Sequence, residues 1–211
     1  MNEEIVEQRV VGVGPWEGTW PDDPRYDPDL LREGDRRNVG DEYRYWSNAA
    51  IVADLDTRRN PLHVAVENWQ HDANIGSVVR TANAVNAAGA HVVGHKRWNR
   101  RGAMVTDRYL SVHHHTDVDA LVAWAGERGL PIVGVDNVEG SVPLETYDLP
   151  RECVLLFGQE GPGLTEEAVA HCVDVLAIAQ FGSTRSINVG AAAAVAMHAW
   201  VRRHVFDQRP R

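Results

Sequence analysis

Between Pro61 and Val205 short apolar runs alternate with longer stretches whose apolar residues recur at helical spacing. "LHVAVEN", "AHVVG", "YLSVHHH", "PIVGVDN", "ECVLLFG" and "VDVLAIA" predict six strands. "NIGSVVRTANAVNAAG" places Ile75, Val78, Val79, Ala82 and Val85 on one face, which predicts a helix capped by Asp72 or Asn74 and closed by Gly89. "DVDALVAWAGERG", "TEEAVAHC" and the segment from about Ile187 to Val205 predict three more. "NRRGAMVTDR" reads as a basic connector with a helical turn. Strands alternating with helices imply an α/β domain with a mainly parallel sheet, whose ligands bind beyond the carboxyl ends of the strands.

The first fifty-odd residues follow no such period. "GPWEGTWPDDPRYDPDLLREGDRRNVGDEYRYW" predicts an irregular acidic extension anchored by Trp16, Trp20 and Trp46, with a short helix from Ser47 to Thr57. The expected division is therefore an extension over 1–58 and a folded domain over 59–207.

Composition narrows the picture. No run of about 18 apolar residues suggests a membrane span, and "MNEEIVEQRV" lacks the basic start and apolar core of a secretory signal. A cytoplasmic chain is expected, with Cys153 and Cys172 as reduced core thiols. The formal net charge of −9 argues against a general polyanion binder but permits a local basic patch. Lys96, Arg97, Arg100, Arg101 and Arg108 cluster beside Trp98, a mix suited to phosphate contact and base stacking. His113 and His115 share a strand face, yet no Cys or carboxylate stands at ligand spacing, so no metal site is expected.

Three loops carry the candidate chemistry: "NIGSVVR", "FGQEGPGL" and "FGSTRSINVG". Their glycines let backbone approach a ligand closely. None matches a phosphate-binding P-loop or a dinucleotide fingerprint. The last leads from Ser186 and Asn188 into "GAAAAVA", a helix with little side-chain bulk for a core.

In this order and spacing, "NIGSVVRTA", "LLFGQEGPGL" and "IAQFGSTRSINVG" resemble the three motifs of the SpoU/TrmH branch of the SPOUT methyltransferases, over roughly Pro61 to Val205. The resemblance implies an α/β fold with a C-terminal trefoil knot, bound S-adenosyl-L-methionine, a homodimer, and methylation of a ribose 2′-hydroxyl in RNA, tRNA first and rRNA next. It implies Gly158, Gly163, Ile178, Gly182, Ser186 and Ile187 as cofactor-binding residues, with Asp136 and Asn137 at the adenosine edge. Asn74, Arg80, Glu160, Ser186 and Asn188 match its polar active-site residues, and Arg97, Arg100 and Arg101 are the expected RNA contacts. Arg80 either clamps a phosphate or loses a proton when packed against one; Ser186 and Asn188 would orient the ribose and phosphate. Two positions depart from the pattern: Ala179-Gln180 stands where Pro-Met is common, and Gly190 where Ser is common. The alternatives are an idle RNA-binding module on the same fold and a base-nitrogen methyltransferase.

Overall fold

The computed structural model describes residues 12–70 and 74–208, which divide into two compact units between Thr57 and Arg58. In the first unit the helices are α1 (Pro28–Glu33) and α2 (Asn48–Asp56), the latter capped by Ser47 as its sequence predicts. This unit is more organised than the irregular extension expected. Asp35 is fully buried and takes Arg37 Nε and Nη2 at 2.9 and 2.7 Å, while Arg37 also donates to Trp46 O and Asn48 Oδ1. Burial pushes the Asp35 carboxyl up, but the Arg37 bonds outweigh it and hold it below its ordinary range. Trp16 meets Tyr26 and Tyr45 edge-on and Arg25 lies over Trp46, whereas Trp20 is largely exposed. A unit held by a buried ion pair and aromatic edges carries no hydrophobic period, so the pattern alone does not reveal it.

This unit also holds the acidity. Residues 1–57 carry 14 Asp and Glu against 6 Arg, a share of −8 in the formal −9. The remainder of the chain is close to neutral.

The second unit contains β1 (Asn60–Asn68), α3 (Ile75–Ala84), β2 (Ala87–Gly94), β3 (Val112–His115), α4 (Val118–Gly126), β4 (Ile132–Val135), β5 (Val142–Pro143), β6 (Cys153–Phe157), α5 (Glu166–His171), β7 (Asp174–Ala177) and α6 (Val189–His204). The strands form one sheet in the order β3-β2-β1-β6-β4-β7-β5, and every pairing is parallel. Parallel strands buried on both faces need continuous apolar runs, as in "CVLLF". On one face Leu62, Val64 and Val66 of β1 join residues of α3 and α6 in a core. On the other Ala65, Val154 and Leu156 pack with Val118, Leu121 and Ala168 of α4 and α5.

Register brings the strand ends level. Phe157 pairs with Val66 and Val135, and Val135 pairs with Leu176. Gly158, Asp136 and Ile178 therefore leave the sheet together. The alanines of α6 serve packing: Ala193, Ala196, Met197 and Trp200 are fully buried, and Trp200 Nε1 donates to Pro150 O and Arg151 O, both at 3.2 Å. A Cβ added at Gly190 would stand 3.3 Å from Ser77 Cβ, so α3 and α6 approach where side chains are small.

The expected Asp72 cap lies outside the described residues. The expected end of the helix at Gly89 fails, since α3 ends at Ala84. Asn86, at φ 50°, turns the chain, and Gly89 lies inside β2, where a Cβ would press His63 Nδ1 at 3.3 Å. His115 is buried. His91 Nε2 lies 3.0 Å from His63 Nδ1, and His91 Nδ1 lies 2.9 Å from His115 Nε2, beneath the Trp124 ring. A chain of neutral imidazoles satisfies both bonds, with His91 donating through one ring nitrogen and accepting through the other. Burial is the main cause holding His63 down to about 4 and His91 down to about 2, with neighbouring histidines and Arg128 adding to it.

These shifts set an acid limit. Above pH 6.5 neither folded nor unfolded histidines are charged. As pH falls from there toward about 4, the unfolded chain takes up protons that the folded chain refuses. Unfolding free energy should then drop by about 1.4 kcal/mol per pH unit for a fully excluded histidine. Urea melts at pH of about 7.5, 6 and 5 should show this loss, and His91→Leu should reduce the slope; a flat wild-type profile contradicts the neutral chain.

Candidate active site

At the carboxyl ends of β4, β6 and β7 lies an open cavity of about 210 Å³. Asp136, Gly158, Gly163, Ile178, Ser186 and Ile187 line it, as does Glu160; Gly182 does not, and sits exposed in the loop before α6. Gln180, a departure from the third motif, and Pro162 of the second also line the cavity, though neither is among the expected cofactor-binding residues.

The Gly158–Leu164 loop has the shape its glycines allow. Gln159 and Gly163 exchange backbone bonds at 3.0 and 3.1 Å, folding the loop into a tight turn. A Cβ at Gly158 would collide with the Gly163–Leu164 backbone, and one at Gly163, at φ 75°, with the Asp136 carboxylate. Asp136 accepts Leu164 N and Asn137 N, both at 2.7 Å, so this carboxylate ties the β4 end to the turn. Asn137 Nδ2 donates to the carbonyl of Arg185, tying the β4 end to the last loop as well.

A second brace lies under the turn. The fully buried Glu67 carboxylate accepts Thr165 N at 2.9 Å, Thr165 Oγ1 at 2.8 Å and Trp69 Nε1 at 2.9 Å. Trp69 N in turn donates to Gln159 Oε1 at 2.9 Å. The signal for Glu67 in the sequence is one acid within an apolar strand, which fixes burial but not its partners.

At the cavity mouth Glu160 Oε2 accepts Asn74 Nδ2 at 3.1 Å, Asn188 Nδ2 at 3.0 Å and Val189 N at 3.1 Å. Asn188 Nδ2 also donates to Asn74 Oδ1 at 3.0 Å, and Asn188 Oδ1 caps α6 by accepting Gly190 N and Ala191 N. Asn74 stands at the cap position of α3 but makes no side-chain cap bond; its amide turns to Glu160 instead. Both the amide nitrogen and the oxygen of Asn188 are thus engaged within the protein.

Arg80, Glu160, Ser186 and Asn188 are all exposed, and Asn74 is half-buried. Arg80 follows Ser77 by one helical turn on the same face of α3, and Ser77 abuts the start of α6. Among the described residues its guanidinium has no hydrogen-bond or ion-pair partner.

The basic connector packs directly on α3. A Cβ at Gly76 would meet Gly102 Cα and Ala103 N at 2.7 Å, so the two backbones touch. Buried Asn68 donates to the carbonyls of His95 and Arg97 at 2.6 and 2.9 Å, anchoring the connector to β1. Arg97, Arg100 and Arg101 are all exposed. Arg100 is already engaged, 3.3 Å from Asp107 and over the Trp98 ring. Cys153 and Cys172 are free thiols; burial pushes them up to about 12 and about 11, which leaves them unreactive.

Two substitutions test this geometry. Asn188→Ala should cost about 1 kcal/mol in denaturant melts through loss of the cap alone. Gly158→Ala should cost more, because backbone must move; a Gly158→Ala protein as stable as the wild type contradicts the close contact.

A profile of the SpoU rRNA Methylase family matches residues 61–198. The tRNA (guanosine(18)-2′-O)-methyltransferase of Escherichia coli K12 is 28% identical over 153 residues, covering 71% of this chain and 67% of that protein. Its namesake in Thermus thermophilus is 29% identical over 153 residues, covering 68% and 76%. The SpoU methyltransferase AviRb of Streptomyces viridochromogenes, solved with the cofactor AdoMet, superposes with a TM-score of 0.62 at 25% identity. That match covers 70% of this chain and 59% of AviRb, so the chain spans less than two thirds of that protein. With the profile spanning well over half of its length, and with a parallel α/β sheet and a strand-end cavity in the matched region, this chain belongs to the SpoU rRNA Methylase family.

Proposed function

We propose that this chain transfers the methyl group of S-adenosyl-L-methionine to a ribose 2′-hydroxyl of a structured RNA, tRNA before rRNA, and works in the cytoplasm as a homodimer. The carrying observation is the Asn74–Glu160–Asn188 cluster at the mouth of the strand-end cavity, with Arg80 exposed beside it on α3. The residues present fit the cofactor. The cavity combines an apolar wall of Val135, Leu176, Ile178, Val189 and Ala192 with glycine backbone at Gly158 and Gly163, where no Cβ could stand. S-adenosyl-L-methionine held there supplies an activated methyl group on its sulfonium.

This chain's residues do the positioning. Glu160 locks the two asparagine amides, which sets the start of α6 and the adjoining Ser186 against α3. Arg80 carries a planar guanidinium fork suited to bidentate contact with the phosphate next to the target ribose. Holding a ribose in attack geometry contributes several kcal/mol to such a transfer by itself. Arg97 and Arg101 extend the cationic face along the connector packed on α3. The C-terminal segment before α6, held to the β4 loop through Asn137, corresponds to the knotted loop in this reading. The presence of Arg80 with its surrounding cluster favours an enzyme over an idle RNA-binding module.

Two outcomes follow. Arg80→Ala and Arg80→Lys should both abolish methyl transfer to RNA while leaving cofactor affinity within about twofold, since a point charge does not replace the fork. Transfer from labelled cofactor to total tRNA, followed by nuclease digestion, should place the label on ribose; label on a base overturns the 2′-hydroxyl assignment. Exposed Val195, Val205 and Phe206 form an apolar strip at α6 suited to a second copy. Light scattering at micromolar concentration should give twice the chain mass; a monomer that still methylates RNA overturns the homodimer.

A further inference from the structure

Gln180 follows β7 and lines the cavity, yet among the described residues its buried side-chain oxygen Oε1 has no hydrogen-bond partner. Such an atom costs about 1–3 kcal/mol if nothing satisfies it, and in a cavity wall the natural remedy is a ligand donor. The donor's chemistry can be narrowed. The same cavity presents the apolar side chains of Val135, Leu176, Ile178, Val189 and Ala192, which suit a flat ring. Its two carboxylates are committed to the protein: Asp136 to Leu164 N and Asn137 N, Glu160 to Asn74, Asn188 and Val189. A buried neutral carbonyl is a poor partner for an ammonium, whose desolvation it cannot repay. It is a good partner for a neutral N–H on an aromatic ring.

Resting on the S-adenosyl reading above, we infer that Gln180 reads the base of the cofactor: its Oε1 accepts a hydrogen bond from the exocyclic amine of adenine. Gln180 then discriminates adenine from purines without that amine, a role separate from the backbone contacts that hold any purine nucleoside.

The test is calorimetric and uses the full chain. S-adenosylhomocysteine and its analogue with hydrogen in place of the 6-amine are titrated into wild type and Gln180→Met, a swap of similar shape. The wild type should prefer the amine-bearing ligand by about tenfold, the value of one neutral hydrogen bond. In Gln180→Met that preference should fall to about twofold or less, with the analogue's own affinity little changed. A Gln180→Met protein that keeps the full preference overturns the contact. So does a wild type that binds both ligands equally, an outcome that requires no folded variant. A wild type that binds neither ligand overturns the cofactor reading itself, and is distinguishable from both.

Discussion

One carboxylate oxygen, Glu160 Oε2, gathers hydrogen bonds from Asn74, Asn188 and the backbone of Val189, residues 28 to 86 positions away along the chain. Each donor stands at the beginning of a helix: Asn74 at the cap of α3, Asn188 and Val189 at the cap and first turn of α6. Helix starts present unsatisfied N–H groups and a positive dipole end, so an anion placed between two of them is stabilised by both. The remainder of the site depends on this placement. It ties α3, which bears Arg80, and the start of α6, next to the loop that bears Ser186, to the turn lining the cavity.

The sheet makes the arrangement possible at low strain. Level registers at Phe157, Val135 and Leu176 release three loops at one height. Polar groups then fasten neighbouring loops: half-buried Asp136 and fully buried Glu67 hold the Gly158–Leu164 turn, and buried Asn68 holds the basic connector after β2. Every one of these groups sits at or just beyond a strand end, where the backbone ladder stops and its free N–H and C=O groups need partners. The polar network thus satisfies the strand ends and shapes the cavity at once.

Much of this is legible in the sequence. Apolar runs and helical periods locate the strands and long helices, because burial on two faces leaves a strong imprint. The alanines of α6 read as packing residues, and Ala193 and Ala196 are fully buried. Glycines in the second motif predict close backbone approach, seen at Gly158 and Gly163. Other features leave no imprint of that kind. Which partner a buried polar residue chooses is decided in three dimensions, so the sequence does not show the imidazole chain through His63, His91 and His115 or the commitment of Asn188 to Asn74 and Glu160. Gln180 stands out only as a departure from a motif. The end of α3 is misread because Asn86 takes the left-handed turn expected of a glycine.

The central claim is that Glu160 couples the starts of α3 and α6 into one unit. Hydrogen exchange on Glu160→Ala, compared with wild type at equal pH, tests it most directly. Faster exchange should appear together at Val78 near the start of α3 and at Val189, Gly190 and Ala191 in α6, while β1 and β6 stay protected. Unchanged protection across Val189–Ala191 would contradict the coupling and return Glu160 to the role of a surface loop residue.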